Sequence, residues 1–152
     1  MSQVETLIQQ LQLIPHPEGG WYRELHRSPE QVQRQDGAER SALTAILFLL
    51  PAGAISCWHR VIGADEAWTH IDGATLELFQ CQANGTALQR DPLNASNPVQ
   101  VVPANAWQAA RSLGGYTLVS CCVGPGFDFL DFEMARQQPT TDRLKLPHPE
   151  LI

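Results

Sequence analysis

Basic residues are scarce in this chain: 10 Lys and Arg stand against 16 Asp and Glu, a net charge of −6. Nucleic-acid binding needs Lys and Arg to neutralise phosphates, so a nucleic-acid partner is not expected. An anionic membrane surface is disfavoured for the same reason. Long hydrophobic runs are also missing. The longest, ALTAILFLLPAGAI, is interrupted by Thr44, Pro51 and Gly53 and is too short to span a bilayer. The N-terminal MSQVETLIQQLQL has no basic start and no apolar stretch, so it does not read as a signal peptide. None of the four cysteines (Cys57, Cys81, Cys121 and Cys122) is spaced as CxxC. Adjacent Cys121 and Cys122 would point to opposite faces of a strand. The four read as reduced, packed thiols in a cytoplasmic protein, and a thiolate zinc site is not expected. No repeat, linker or low-complexity tract is visible, and no calcium-loop spacing of carboxylates occurs.

What is present fits one domain over residues 1–152, with a core at about 13–134 and a polar, proline-rich tail at 135–152. Residues 2–13 read as a short helix. Val4, Leu7, Ile8 and Leu11 recur at helical spacing, and Ser2 with Glu5 has the form of a capping box. Pro15 and Pro17 end it. From there the pattern turns to short strands punctuated by Gly and Pro. They fall at residues 21–27, 43–50, 55–61, 66–71, 75–80, 87–90, 99–102, 106–112 and 116–123. Asn84-Gly85 is a hairpin signal, and residues 113–116 read as a second tight hairpin turn. Residues 29–40 read as a polar surface loop. The expected class is all-β, an antiparallel sandwich or small barrel with one N-terminal helix.

Strand parity selects candidate site residues. Every second side chain shares a face, so Ile55, Cys57, His59 and Val61 form one side, and Ala54, Ser56, Trp58 and Arg60 the other. Glu66, Trp68 and His70 share a face of the next strand. If the two strands pair, His59 approaches Glu66 across the hairpin, with Trp68 as a wall. In the third element Gln108 shares a face with Ala106 and Ala110, which leave room beside it. In the first strand Tyr22, Glu24 and His26 alternate with Trp21, Arg23, Leu25 and Arg27. Two readings of His59 stand at this point. It is either a core histidine whose ring nitrogens are satisfied by neighbours, or an acid-base group held by a carboxylate.

The spacing also resembles the cupin superfamily. Its first motif is glycine, five residues, His-x-His, three or four residues, Glu, six residues, glycine. Here Gly53, His59, Glu66 and Gly73 fall into that frame, with Val61 in place of the second histidine. The second motif, Pro-x-Gly-x-x-His, is matched by Pro103, Asn105 and Gln108, with Asn105 for glycine and Gln108 for histidine. HPEGG at 16–20, Tyr22-Arg23-Glu24, Asp65-Glu66, Trp107-Gln108 and the GFDF and DF pieces of 126–132 resemble, more specifically, the uncharacterised DUF985 (cupin-5) family. The resemblance implies a double-stranded β-helix, or cupin jelly roll, that forms a homodimer.

Metal-binding cupins hold their ion with three histidines and a glutamate. Only His59 and Glu66 carry over, with Gln108 as a poor third ligand, so no metal and no cofactor is expected; any bound metal would fall to His59, Glu66 and Gln108. The expectation is a small-molecule pocket protein, with a metal-independent isomerase or epimerase of a carbohydrate-like substrate as its enzymatic form. His59 and Glu66 would be catalytic. Tyr22, Arg23, Trp68 and Gln108 would bind the ligand. The alternatives are a non-catalytic binding module and a weak metal-binding cupin.

Overall fold

The computed structural model describes residues 1–143 and 145–152. The N-terminal helix is α1 (Gln3–Gln10). Its capping box is formed: Glu5 N–H donates to Ser2 Oγ, and the Glu5 carboxylate accepts from the Ser2 amide. The strands that follow are β1 (Ile14–Pro15), β2 (Trp21–Arg27), β3 (Gln31–Gln33), β4 (Glu39–Ser41), β5 (Thr44–Pro51), β6 (Ile55–Val61) and β7 (Asp65–Gly73). They continue as β8 (Leu76–Cys81), β9 (Gln89–Leu93), β10 (Val99–Val102), β11 (Trp107–Ser112), β12 (Tyr116–Gly124) and β13 (Phe132–Met134).

Two antiparallel sheets face each other. One runs β1-β2-β5-β12-β7-β10 and the other β13-β6-β11-β8-β9. They are separate sheets, so the jelly roll is an open sandwich. Phe48, Leu50, Trp68, Leu78, Leu93 and Val119 fill the space between them, all fully buried. Burying each such side chain stabilises the fold by roughly 1.5–3 kcal/mol.

The outer faces are covered from the chain's own ends. Val4, Leu7, Ile8 and Leu11 of α1 lie on Leu49, Tyr116 and Leu118 of the first sheet. The tail covers the second sheet. Leu146 and Leu151 pack with Trp58, Phe79 and Trp107, and Trp58 Nε1 donates to the Pro147 carbonyl at 2.9 Å. The large apolar side chains on the outward face of β6 and β11 require such a cover.

Three expectations need correction. β6 and β7 do not pair. β6 lies between β13 and β11, and β7 between β12 and β10, so the residues joining them cross from one sheet to the other. Residues 113–115 do the same between β11 and β12, so they form a corner and not a hairpin turn. Residues 29–40 are not a plain loop. They fold as the β3–β4 hairpin, fastened to the body where Arg34 and Arg40 both donate to buried Asp131. Nothing in a run of polar residues announces a buried partner about ninety positions away, which is why the composition read as loop.

Candidate functional site

A cavity of about 300 Å³ opens at one end of the sandwich. His59 and Glu66 both border it, from opposite sheets. The two groups therefore meet across the sandwich and not across a hairpin.

The carboxylate that holds His59 is Glu18. Its Oε2 lies 2.8 Å from His59 Nε2 and accepts from Ser56 Oγ at 2.6 Å. His59 Nδ1 lies 2.7 Å from the Cys57 carbonyl. A carbonyl only accepts, so Nδ1 carries a proton. With Nε2 on a carboxylate, both nitrogens of the ring are engaged within the protein.

Strand parity placed Ser56 and His59 on opposite faces. The pairing of β11 with β6 shifts register between Gln108 and Ala110, opposite His59 and Ser56. The bulge adds one residue between Ser56 and His59, and both then reach Glu18.

The loop carrying Glu18 is seated by close backbone approach. Cys57 N–H donates to the Glu18 carbonyl at 2.8 Å. Gly19 has φ +109, and a Cβ there would collide with the Ile55 carbonyl oxygen. Gly19→Ala is therefore expected to destabilise the protein by more than about 4 kcal/mol. Gly37→Ala, at φ +87 with nothing nearby, should cost only about 1–2 kcal/mol. Urea denaturation of both variants checks this. Equal losses would mean that the approach to β6 does not constrain the loop.

Electrostatics separates the acids. Burial alone would raise Glu18, but the charge and hydrogen bond of His59, helped by the Ser56 hydroxyl, hold it well below the usual carboxylate range. Burial likewise disfavours charged His59, yet Glu18 and, more weakly, Glu66 keep it protonated well above its ordinary value. Glu66 is different. Burial pushes it up to about 7, opposed by His59 and reinforced by Glu18. It is steadied by a relay: Trp68 Nε1 donates to Gln108 Oε1 at 2.8 Å, and Gln108 Nε2 donates to Glu66 Oε2 at 3.4 Å.

His16 also borders the cavity. Its Nδ1 accepts from the Glu18 amide at 3.1 Å, and burial lowers its pKa. The neutral ring then carries its proton on Nε2, for which no hydrogen-bond partner occurs among the described residues.

Of the expected ligand-binding residues, Tyr22 borders the cavity. Arg23 does not. It lies exposed and donates to the Leu11 carbonyl at 3.4 Å. Trp68 is wholly buried and Gln108 nearly so; they act behind Glu66 and not as cavity walls. In place of Arg23 the cavity takes Arg27, from the face to which parity had not assigned it. The pairing of β2 with β5 shifts register between Glu24 and His26, and this second bulge brings Arg27 round beside Glu24. Phe127, Phe129 and Phe132 form the apolar wall, stacked edge to face. Asp131 within that segment holds Arg34 and Arg40, while Arg60 pairs with Glu133. Glu18 and His16 border the cavity but were not among the residues expected there. The paired glycines of HPEGG were the available signal, because they mark a close backbone approach.

The set His59, Glu66 and Gln108 does not fit a metal ion. His59 Nε2 faces Glu18, and Gln108 gives its oxygen to Trp68 and turns its NH2 to Glu66. Among the described residues no three His, Cys, Asp or Glu side chains converge as ligands. No described helix is long and apolar enough to cross a membrane, and all four cysteines are free.

Comparison with known proteins agrees with this architecture. A hypothetical protein from Leishmania major is 32% identical, with a TM-score of 0.86 over 99% of this chain and 97% of that one. A protein from Shewanella oneidensis is also 32% identical, with a TM-score of 0.79 over 88% of this chain and 85% of that one. The capsular polysaccharide assembling protein CapF from Staphylococcus aureus shares the fold alone, at 13% identity and a TM-score of 0.62, over 80% of this chain and 33% of that one. No curated protein matches the sequence. The model of the Cupin_5 family, described as Cupin superfamily (DUF985), matches residues 5–135. The HPEGG loop and the half-kept cupin motifs lie within that stretch, and the chain belongs to the DUF985 family of the cupin superfamily.

Proposed function

We propose that the protein binds a small carbohydrate-like molecule in this cavity and moves a proton on it without a metal, as an isomerase or epimerase does. The observation that carries this reading is a pair of buried glutamates on one cavity with unlike partners: Glu18 is held by His59 and Ser56, whereas Glu66 accepts from the Gln108 amide and has its pKa pushed up by burial. Such a split assigns acid and base roles. Glu66, poised near neutrality, is the proton carrier. As a carboxylate it takes a proton from a carbon beside a carbonyl, and the electron pair moves onto the carbonyl oxygen. Glu66 then returns the proton on the same face to the neighbouring carbon, while the hydroxyl proton of that carbon passes to the former carbonyl oxygen. His16 Nε2–H and the Tyr22 hydroxyl are placed to stabilise the oxyanion. His59 keeps Glu18 ionised, a supporting role that replaces the catalytic one expected from sequence.

Deuterium exchange tests this. Aldoses and ketoses are incubated with the protein in D2O and followed by NMR. Loss of one C–H signal, abolished by Glu66→Gln, supports the reading. No exchange with any sugar that the native protein binds would leave the second reading, a binding module without chemistry. That alternative is favoured by one observation: both nitrogens of His59 are spent within the protein.

We also propose a homodimer, formed through the part of the first sheet that neither α1 nor the tail covers. Ile71, Val99 and Val101 stand half-exposed there, beside Ala67, Thr69 and Cys122 in the sheet register. Light scattering after size exclusion is expected to give about 34 kDa, twice the 16.8 kDa chain. Val101→Asp should yield the monomer. A wild-type monomer at high micromolar concentration would refute the dimer.

A further inference from the structure

The charges around the cavity cancel locally, and this restricts what it can hold. Arg27 and His59 are the cationic side chains on its lining. Arg27 Nη2 donates to Glu24 at 2.7 Å and its Nη1 to the Phe127 carbonyl at 2.9 Å. His59 lies on Glu18 and on the Cys57 carbonyl, and His16 accepts the Glu18 amide at its Nδ1. An anionic ligand would therefore meet Glu18, Glu24 and Glu66 while every cation already holds a carboxylate of its own. Burying an anion there without a partner is unfavourable. Groups left to bond a ligand include His16 Nε2–H, the Tyr22 and Thr44 hydroxyls and Glu66, which suit hydroxyl and carbonyl oxygens, while the spare N–H groups of Arg27 stay beside the Glu24 carboxylate. Three phenylalanines supply the apolar wall that a ring face needs. The volume, about 300 Å³, lies at the low end for ligand cavities and accommodates one ring.

We infer that the ligand is an uncharged single-ring molecule, a free polyol or carbonyl compound, and that phosphorylated, nucleotide-linked and acidic sugars are excluded. This inference rests on the pocket reading above and names its substrate class. The Glu24–Arg27 pair at the mouth is the device that denies an anion its cation.

Calorimetry with matched probes tests it: glucose, glucuronate and glucose 6-phosphate, then cyclohexanol and cyclohexanecarboxylate. In each set the neutral probe is expected to bind at least tenfold more tightly than its anionic counterpart. Glu24→Gln frees Arg27 and is expected to narrow that gap severalfold by tightening the anionic probes. An acidic or phosphorylated probe that binds wild type as well as the neutral one overturns the inference. So does a gap that Glu24→Gln leaves intact. Mass spectrometry of molecules retained by the native protein separates the two claims. A retained sugar phosphate would sink the inference and keep the pocket reading, whereas failure of every neutral probe with nothing retained would sink both.

Discussion

Glu18→Ala is expected to destabilise the protein by about 3–5 kcal/mol at pH 6, the loss typical of removing one partner from a buried ion pair. Both members are almost fully buried: side-chain exposure is 7% for Glu18 and 2% for His59. Without Glu18, burial becomes the dominant influence on His59, and its pKa should fall from well above 6.5 to near or below that value. NMR titration of the ring protons reads this shift directly. The pH dependence has a definite sign. Glu18 is depressed, so its contribution is present above 4.5 and fades as the pH falls toward its folded value. His59 is raised, so its contribution is complete below 6.5 and fades as the pH rises through its folded value. The difference between wild type and variant should therefore be greatest between pH 4.5 and 6.5 and shrink on both sides. Urea denaturation at three pH values suffices. Adding His59→Leu to Glu18→Ala should restore part of the loss, because the orphaned cation is then gone. A loss below about 1 kcal/mol at pH 6 would show that the pair does not hold the loop on β6.

Glu66→Gln is expected to act in the opposite direction. A carboxyl that ionises at about 7, against 4.5 when free, opposes folding once it is charged. Its contribution is favourable at low pH and is lost as the pH rises through about 7. A glutamine has no such dependence, and its carbonyl can still accept from Gln108. The variant should match wild type near pH 4 and exceed its stability at pH 8 by on the order of 3 kcal/mol at most. For a chain of this size that is a rise in Tm of about 5–10 °C. The same substitution removes the proposed proton carrier. Higher stability with lost exchange is the signature of a group kept for function against the interest of the fold. Parallel pH–stability curves for the two proteins would mean that Glu66 titrates normally and cannot carry the proton.

The two predictions show how unevenly the site was written in the chain. Glu66 was readable. It stands seven residues after His59 in a motif frame, and parity turned it inward with Trp68. The inward orientation of Gln108 was readable too, because small alanines flanked it on one face and Trp107 faced the other way, but its place behind Glu66 and off the cavity was not. Asn105 adopts φ +70, the left-handed turn for which it replaced glycine. The partner of His59 was misjudged. Parity assumes unbroken pleating, and β6 and β2 each carry a bulge. One brought Ser56 and His59 together on Glu18, and the other turned Arg27 to the cavity face of β2.

The sequence determined where the main strands lie, because alternation and Gly or Pro punctuation act over a few neighbouring positions. The same local rules determined the helix cap and the all-β class, while the jelly roll itself was implied by the motif resemblance. Tertiary structure alone decided which carboxylate meets His59, which arginine reaches the cavity, and that the tail covers the second sheet. Those outcomes depend on register shifts and on segments brought together from up to about ninety positions apart, and no local pattern encodes them.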